Sequence, residues 1–323
     1  MTYRNGTIKI YIVLNMISIY EFLVNKRINN KIDQIIYKYF PKNKKELIYI
    51  IKDLLSKGIY DLNCIDTGEI CDMFDLFNFI PEKLKKNNID VSNWDVSNVE
   101  DMTLLFYNMK HFNCNLNNWN VSNVGNMGAM FKGCENFNQP LNKWNVSNVI
   151  NMEGMFQGCE KFNQDINDWN VSNVKNMNAM FYFCRSFNKP LDKWNVGSVE
   201  NMSNMFGNCE NFNQPLNDWD VSYVDIMTNM FQDCKKFDRP LDNWDTYNVT
   251  NMSGMFYGCE SFNQSLDKWD VRNVGDMSWM FRKCKSFCKS LDAWDVSNVE
   301  DMDCMFSGCD SLKNKPKWYN EED

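Results

Sequence analysis

The chain has 323 residues, of which 44% are hydrophobic, 24% charged and 15% aromatic, which excludes a disordered tail and calls for a packed core. Its formal charge of -8 is unevenly placed: Met1 to Tyr60 holds 11 Lys+Arg against 4 Asp+Glu, whereas Asp61 to Asp323 holds 23 against 38. An acidic main body repels phosphate backbones, so nucleic-acid binding is not expected of it, and a single histidine, His111, removes most imidazole-based catalysis and metal binding.

In chain order, the first 60 residues read as a helical N-terminal region and cap. The apolar run Ile10 to Tyr20 contains Asn15, lacks a small-residue cleavage site after it, and is too short for a stable membrane span. Ile8 to Phe40 therefore reads as one or two helices of a small domain. From Phe40-Pro41 onward, an amphipathic helix places Leu47, Ile50, Ile51, Leu54 and Leu55 on one face. Residues 61–90 read as a degenerate first repeat, with Ile65 in the place later taken by Trp. An irregular insertion of four residues is expected within Ile80 to Asn88.

Residues 91–312 carry nine units of 25 residues. Trp94, Trp119, Trp144, Trp169, Trp194, Trp219, Trp244, Trp269 and Trp294 recur without insertion or deletion. Columns of Val, Met, Phe and Leu keep the same register, and Cys134, Cys159, Cys184, Cys209, Cys234, Cys259, Cys284 and Cys309 form another. No unit of this size buries its apolar face alone, so the units must stack into a solenoid whose core consists of ladders of identical residues. Within Leu116 to Pro140 the apolar steps are 3, 2, 3, 3, 3, 1, 3 and 3. The two-residue step Trp-x-Val suggests a short strand, and Met127 to Cys134 a short helical or 3-10 arc. Asn126 and its counterparts stand where an N-cap is needed, and Gly133, Gly158, Gly258 and Gly308 suit the arc's end. Residues 313–323 read as a C-terminal cap and tail, with Leu312, Pro316, Trp318 and Tyr319 closing the stack.

The run W-N-V-S-N-V-x-N-M-x-x-M-F-x-x-C-x-x-F-N-Q-P-L resembles the 25-residue repeat first catalogued in Mycoplasma lipoproteins and placed with BspA-like leucine-rich-repeat surface proteins. Related arrays occur in giant viruses of amoebae. The resemblance covers about Leu62 to Leu312 and implies a leucine-rich-repeat-like solenoid that binds protein or mediates adhesion.

The repeat also says where chemistry is not expected. Same-facing thiols one unit apart make a poor tetrahedral metal site, so the Cys column reads as small buried hydrophobes, with Cys114, Cys288 and Cys304 outside it and exposed. Abundant unpaired thiols suit a reducing, intracellular setting: host cytoplasm or virion for a viral chain, with a cell or particle surface as the alternative. Asp220, Asp245, Asp270 and Asp295 follow Trp and could form a cation-attracting carboxylate stripe; an Asn/Asp ladder that satisfies turn backbone is the competing reading. Asn120-Val-Ser and its repeats match the glycosylation sequon only because the repeat does. No Gly-rich phosphate loop or catalytic constellation is present, so the expectation is no enzyme, no cofactor and no metal. Binding in solenoids uses positions that vary between repeats. Tyr223, Tyr247, Arg272, Trp279, Tyr182 and Tyr257 are the candidates for a protein partner, with Tyr107 and Phe183 behind them, because aromatic residues and Arg dominate interface hot spots. The expected function is a non-catalytic protein-interaction scaffold; a secreted or particle-surface adhesin and a substrate-receptor adaptor are the alternatives.

Overall fold

The computed structural model describes residues 37–319. The helices expected over Ile8 to Phe40 fall outside these residues, apart from Tyr37 to Phe40. Among the described residues the only helix is α1, Lys44–Ser56. Asn43 caps it, its side chain accepting from the Glu46 amide at 3.0 Å, and Leu47, Ile51, Leu54 and Leu55 are buried against the first layer of the array. Ile50 packs beside them, partly buried.

The remainder is a repeat solenoid. Asp101, Asn126, Asn151, Asn176, Asn201, Ile226, Asn251, Asp276 and Asp301 are joined each to the next by a parallel bridge, one layer per 25 residues. The two preceding pairs, Asp61 with Asp90 and Asp72 with Asp101, are 29 residues apart, and the extra length is taken up by turns over Pro81 to Asn87. The core is a continuous stack: every Trp of the nine-membered column is 3–4% exposed, and the adjoining Met and Phe columns are buried except at Met302 in the last layer, which is partly buried. Successive Phe rings stack nearly parallel, Phe131 on Phe156 at 5.6 Å and 3°. At the far end Trp318 continues the Trp column, stacking on Trp294 at 6.3 Å.

The local structure corrects the expected strand and helical arc. Trp-x-Val is not a strand, and Met127 to Cys134 is neither an α nor a 3-10 helix. Instead the three-residue steps mark β-turns. Backbone bonds run from Trp119 to Leu116, Val124 to Val121, Met130 to Met127, Cys134 to Phe131 and Phe137 to Cys134, at 2.9–3.2 Å. Each turn points its first and last residues inward and its two central residues outward, so a step of three satisfies burial without a helix.

Two residues per layer, typified by Ala129 and Gly133, adopt positive φ, +51° and +77°. This alternation turns every second amide away from its own chain. Met127, Ala129, Phe131 and Gly133 donate to the carbonyls of Asn151, Glu153, Met155 and Gln157 in the next layer, at 2.7–3.0 Å. An α-helix would have spent those amides internally, leaving the layers without a backbone seam.

Candidate interaction surface

The invariant polar positions are occupied in holding turns. The residue after each Trp, from Asp95 to Asp295, accepts from the amide two residues on at 3.0–3.2 Å. Asp220, Asp245, Asp270 and Asp295 share this role with the asparagines of the same column, which favours the turn ladder over a cation stripe. Asn98, Asn123, Asn148, Asn173, Asn248, Asn273 and Asn298 donate to a carbonyl of the preceding layer at 2.6–2.7 Å. Asn126 accepts from Gly128 at 3.0 Å, and the bonds of its counterparts are alike. No group of three His, Cys, Asp or Glu able to hold a metal occurs among the described residues.

The thiol column is buried and free. Each Sγ donates to the Phe carbonyl 28 residues earlier, at 2.9–3.1 Å. Burial pushes these thiols well above their ordinary pKa, with the neighbouring thiols of the column adding to the shift. They are therefore neutral packing groups with a satisfied donor, not nucleophiles. Cys288 and Cys304 are exposed, but Cys114 is not: it is 5% exposed, its Sγ lies 3.4 Å from the Asp90 carboxylate, and its pKa is pushed up to about 12, chiefly by burial.

The variable positions form the free surface, in two groups. Tyr223 and Tyr247 are 69% and 50% exposed, on the turn that follows Trp in adjacent layers. Arg272, one layer further, lies over the Tyr247 ring at 5.9 Å while its guanidinium bonds the Asp270 carboxylate at 2.7 and 3.0 Å, which holds that carboxyl below its usual range. Tyr223 replaces the Asn that would otherwise bridge layers, so its side chain is released from structural duty. The second group lies on the arc between the Met and Cys columns. Trp279 is 48% exposed with φ +58°; Tyr257 is half-buried, its hydroxyl 3.0 Å from Lys283 Nζ; Tyr182 is half-buried beside Phe183 in an edge-to-face pair. Tyr107 is half-buried on the same arc.

One constellation escaped sequence reasoning. Glu82, Lys83, Lys85, Lys86, Lys110 and His111 line a cavity of about 310 Å³. Its signal is the run Lys83-Leu84-Lys85-Lys86 inside the insertion, which is visible in the sequence as a departure from the repeat, while the approach of Lys110 and His111 depends on the fold.

A family model described as "Mycoplasma protein of unknown function, DUF285" matches residues 70–191, 164–248 and 227–322. No curated protein matches the chain. Among solved structures, a chain from the crystal structure titled as a TLR13–ssRNA13 complex is similar at 11% identity with a TM-score of 0.25, over 84% of this chain and 48% of that one. This chain thus spans about half the length of that relative. No helix among the described residues is long and apolar enough to cross a membrane.

Proposed function

The chain belongs to the DUF285 family, whose description assigns no activity, and on that premise we propose that it is a non-catalytic scaffold that presents its solenoid surface to a protein partner. The observation that carries this reading is the division of labour on the surface: repeated polar residues are consumed in turn and inter-layer bonds, whereas Tyr223, Tyr247 and Arg272 depart from the repeat and stand exposed on neighbouring layers. Three large amphipathic side chains on a rigid frame offer contact area at small entropic cost. Trp279, Tyr257 and Tyr182 supply a second, smaller patch on the arc.

We further read the array as a turn-built relative of the leucine-rich-repeat class, of the BspA-like kind, and place it in a reducing, intracellular setting. Nine buried unpaired thiols support that location. A photo-crosslinkable side chain at position 247 should capture a discrete partner from the native source. A competitor in which the repeat is restored by Tyr223→Asn, Tyr247→Ser and Arg272→Ser should fail to reduce capture, although its melting transition is no lower than that of the wild type. Undiminished competition by the triple variant would sink the assignment of this patch.

A further inference from the structure

The lysine-lined cavity at the insertion lies outside the aromatic patches and does not depend on them. The segment that builds it is closed by turns: the Leu84 and Lys85 amides donate to the Pro81 carbonyl at 2.8 and 3.2 Å, and the Asn87 amide to Leu84 at 3.0 Å. This folding brings Lys83, Lys85 and Lys86 to the same cavity as Lys110 and His111 of the first full repeat.

Lys85 is the telling residue. Only 7% of it is exposed, and its ammonium has one carboxylate at 2.9 Å, that of Glu82, whose own side chain is 75% exposed. The side chain is packed along its length while its ammonium meets a single, solvent-facing carboxylate, which leaves donors for a further acceptor. Lys110 is paired with Glu135 at 2.8 Å. Four lysines against Glu82 on the cavity wall, with Glu135 and Glu160 beside Lys110, leave the cavity net positive within a body that is otherwise strongly acidic. His111 lines the same cavity, its Nδ1 3.3 Å from the side-chain amide nitrogen of Asn136.

We propose that this cavity binds a phosphate monoester dianion. A net positive, lysine-lined cavity suits a compact, highly charged anion, and ammonium groups act as point charges that suit a tetrahedral phosphate, whereas no arginine lines it to fork onto a planar carboxylate. The acidic body around the cavity selects against an extended polyanion, because only a ligand small enough to sit within the local positive field avoids the surrounding carboxylates. The phosphate could be carried by a protein side chain or by a small metabolite; the chemistry recognised is the same.

His111 is the only histidine in the sequence, so its imidazole signals in the full-length chain form a built-in reporter. Inorganic phosphate, O-phosphoserine, a phosphoserine peptide and the same peptide unphosphorylated would each be titrated at fixed ionic strength. The phosphate-bearing probes should shift the imidazole signals saturably and the unphosphorylated peptide should not. A phosphopeptide that binds more tightly than O-phosphoserine identifies a protein source, and equal affinities identify a small phosphate. The exposed pair Lys83→Ala with Lys86→Ala should weaken binding at least about tenfold with an unchanged melt, whereas Lys313→Ala with Lys317→Ala should not weaken it. Absence of saturation by any phosphate probe, equal binding of the unphosphorylated peptide, undiminished affinity in the Lys83/Lys86 variant, or preferential binding of an oligonucleotide would each overturn the proposal.

Discussion

Raising the pH should unfold this protein over a narrow interval, and the cause is the thiol column. Cys134, Cys159, Cys184, Cys209, Cys234, Cys259 and Cys284 are fully buried and Cys309 nearly so, and burial raises the pKa of each above the ordinary value of 9.0. A group whose pKa is raised by folding holds its proton in the native state after the unfolded chain has lost it. Its contribution is therefore complete below the unfolded value and declines as pH rises above it. One pH unit past that point, each thiol costs about 1.4 kcal/mol, and the eight of the column with the buried Cys114 together cost about 13 kcal/mol, comparable with the whole stability of an ordinary domain, about 5–15 kcal/mol. The transition should thus fall near pH 10, about one unit above the ordinary thiol value. Tryptophan emission and far-ultraviolet circular dichroism after short exposure would follow it, and the slope of log K against pH would count the protons released. A slope near nine is expected for cooperative loss of the array, Cys114 included, and Cys209→Ala should lower it by one. Native emission persisting beyond pH 11 or so, with the column thiols still unreactive, would refute the argument.

Four substitutions at three positions test the frame itself. Trp194→Ala removes a side chain that stacks on Trp219 at 6.4 Å and donates to the Ile166 carbonyl at 3.0 Å, and should cost about 3–5 kcal/mol in urea unfolding; Trp194→Phe, which keeps a ring but orphans that carbonyl, should cost about 1–3 kcal/mol. Tyr223→Asn should add the missing inter-layer bond, to the Gly197 carbonyl by analogy with Asn248 and Ser222, and raise stability by about 1 kcal/mol in the same assay. Gly158→Ala isolates backbone strain, because φ there is +76° and an added Cβ meets nothing closer than 3.5 Å. It should lower stability by about 1–2 kcal/mol, and an unchanged midpoint would show that the arc tolerates side chains at this position freely.

The solenoid was legible because the period is exact in its Trp column: a residue that recurs every 25 positions without slippage can only stack. The class of each layer was less legible. A step of three between apolar residues is shared by a helix face and by a chain of β-turns, and only the positive φ at Ala129 and Gly133 separates them. Glycine at 133, 158, 258 and 308 hinted at that geometry, but Phe183, Asn208, Asp233 and Lys283 hold the same column at positive φ and concealed it. Cys114 was misplaced for a related reason. Lying outside the thiol column says nothing about exposure, since the fold seats this thiol against Asp90 of the preceding layer. The surface aromatics were readable as departures from the repeat, whereas the lysine cavity joins residues from an insertion and a repeat, a juxtaposition created only by the fold.

The seam of amides between layers gives the array a direction. In each layer the amides at the positions of Met127, Ala129, Phe131 and Gly133 point forward, and the carbonyls at the positions of Asn126, Gly128, Met130 and Lys132 receive bonds from behind. Every interior layer therefore offers its successor the same pattern that it accepts from its predecessor. A whole unit can be duplicated or deleted in mid-array without altering the backbone seam of any junction, much as a brick can be added to a course. The two ends have no such freedom, since one presents acceptors beneath α1 and the other presents donors at Met302, Cys304, Phe306 and Gly308. Array length is thus the property that descent can change most readily, while the terminal layers and residues such as Lys85 that break the repeat stay tied to their places.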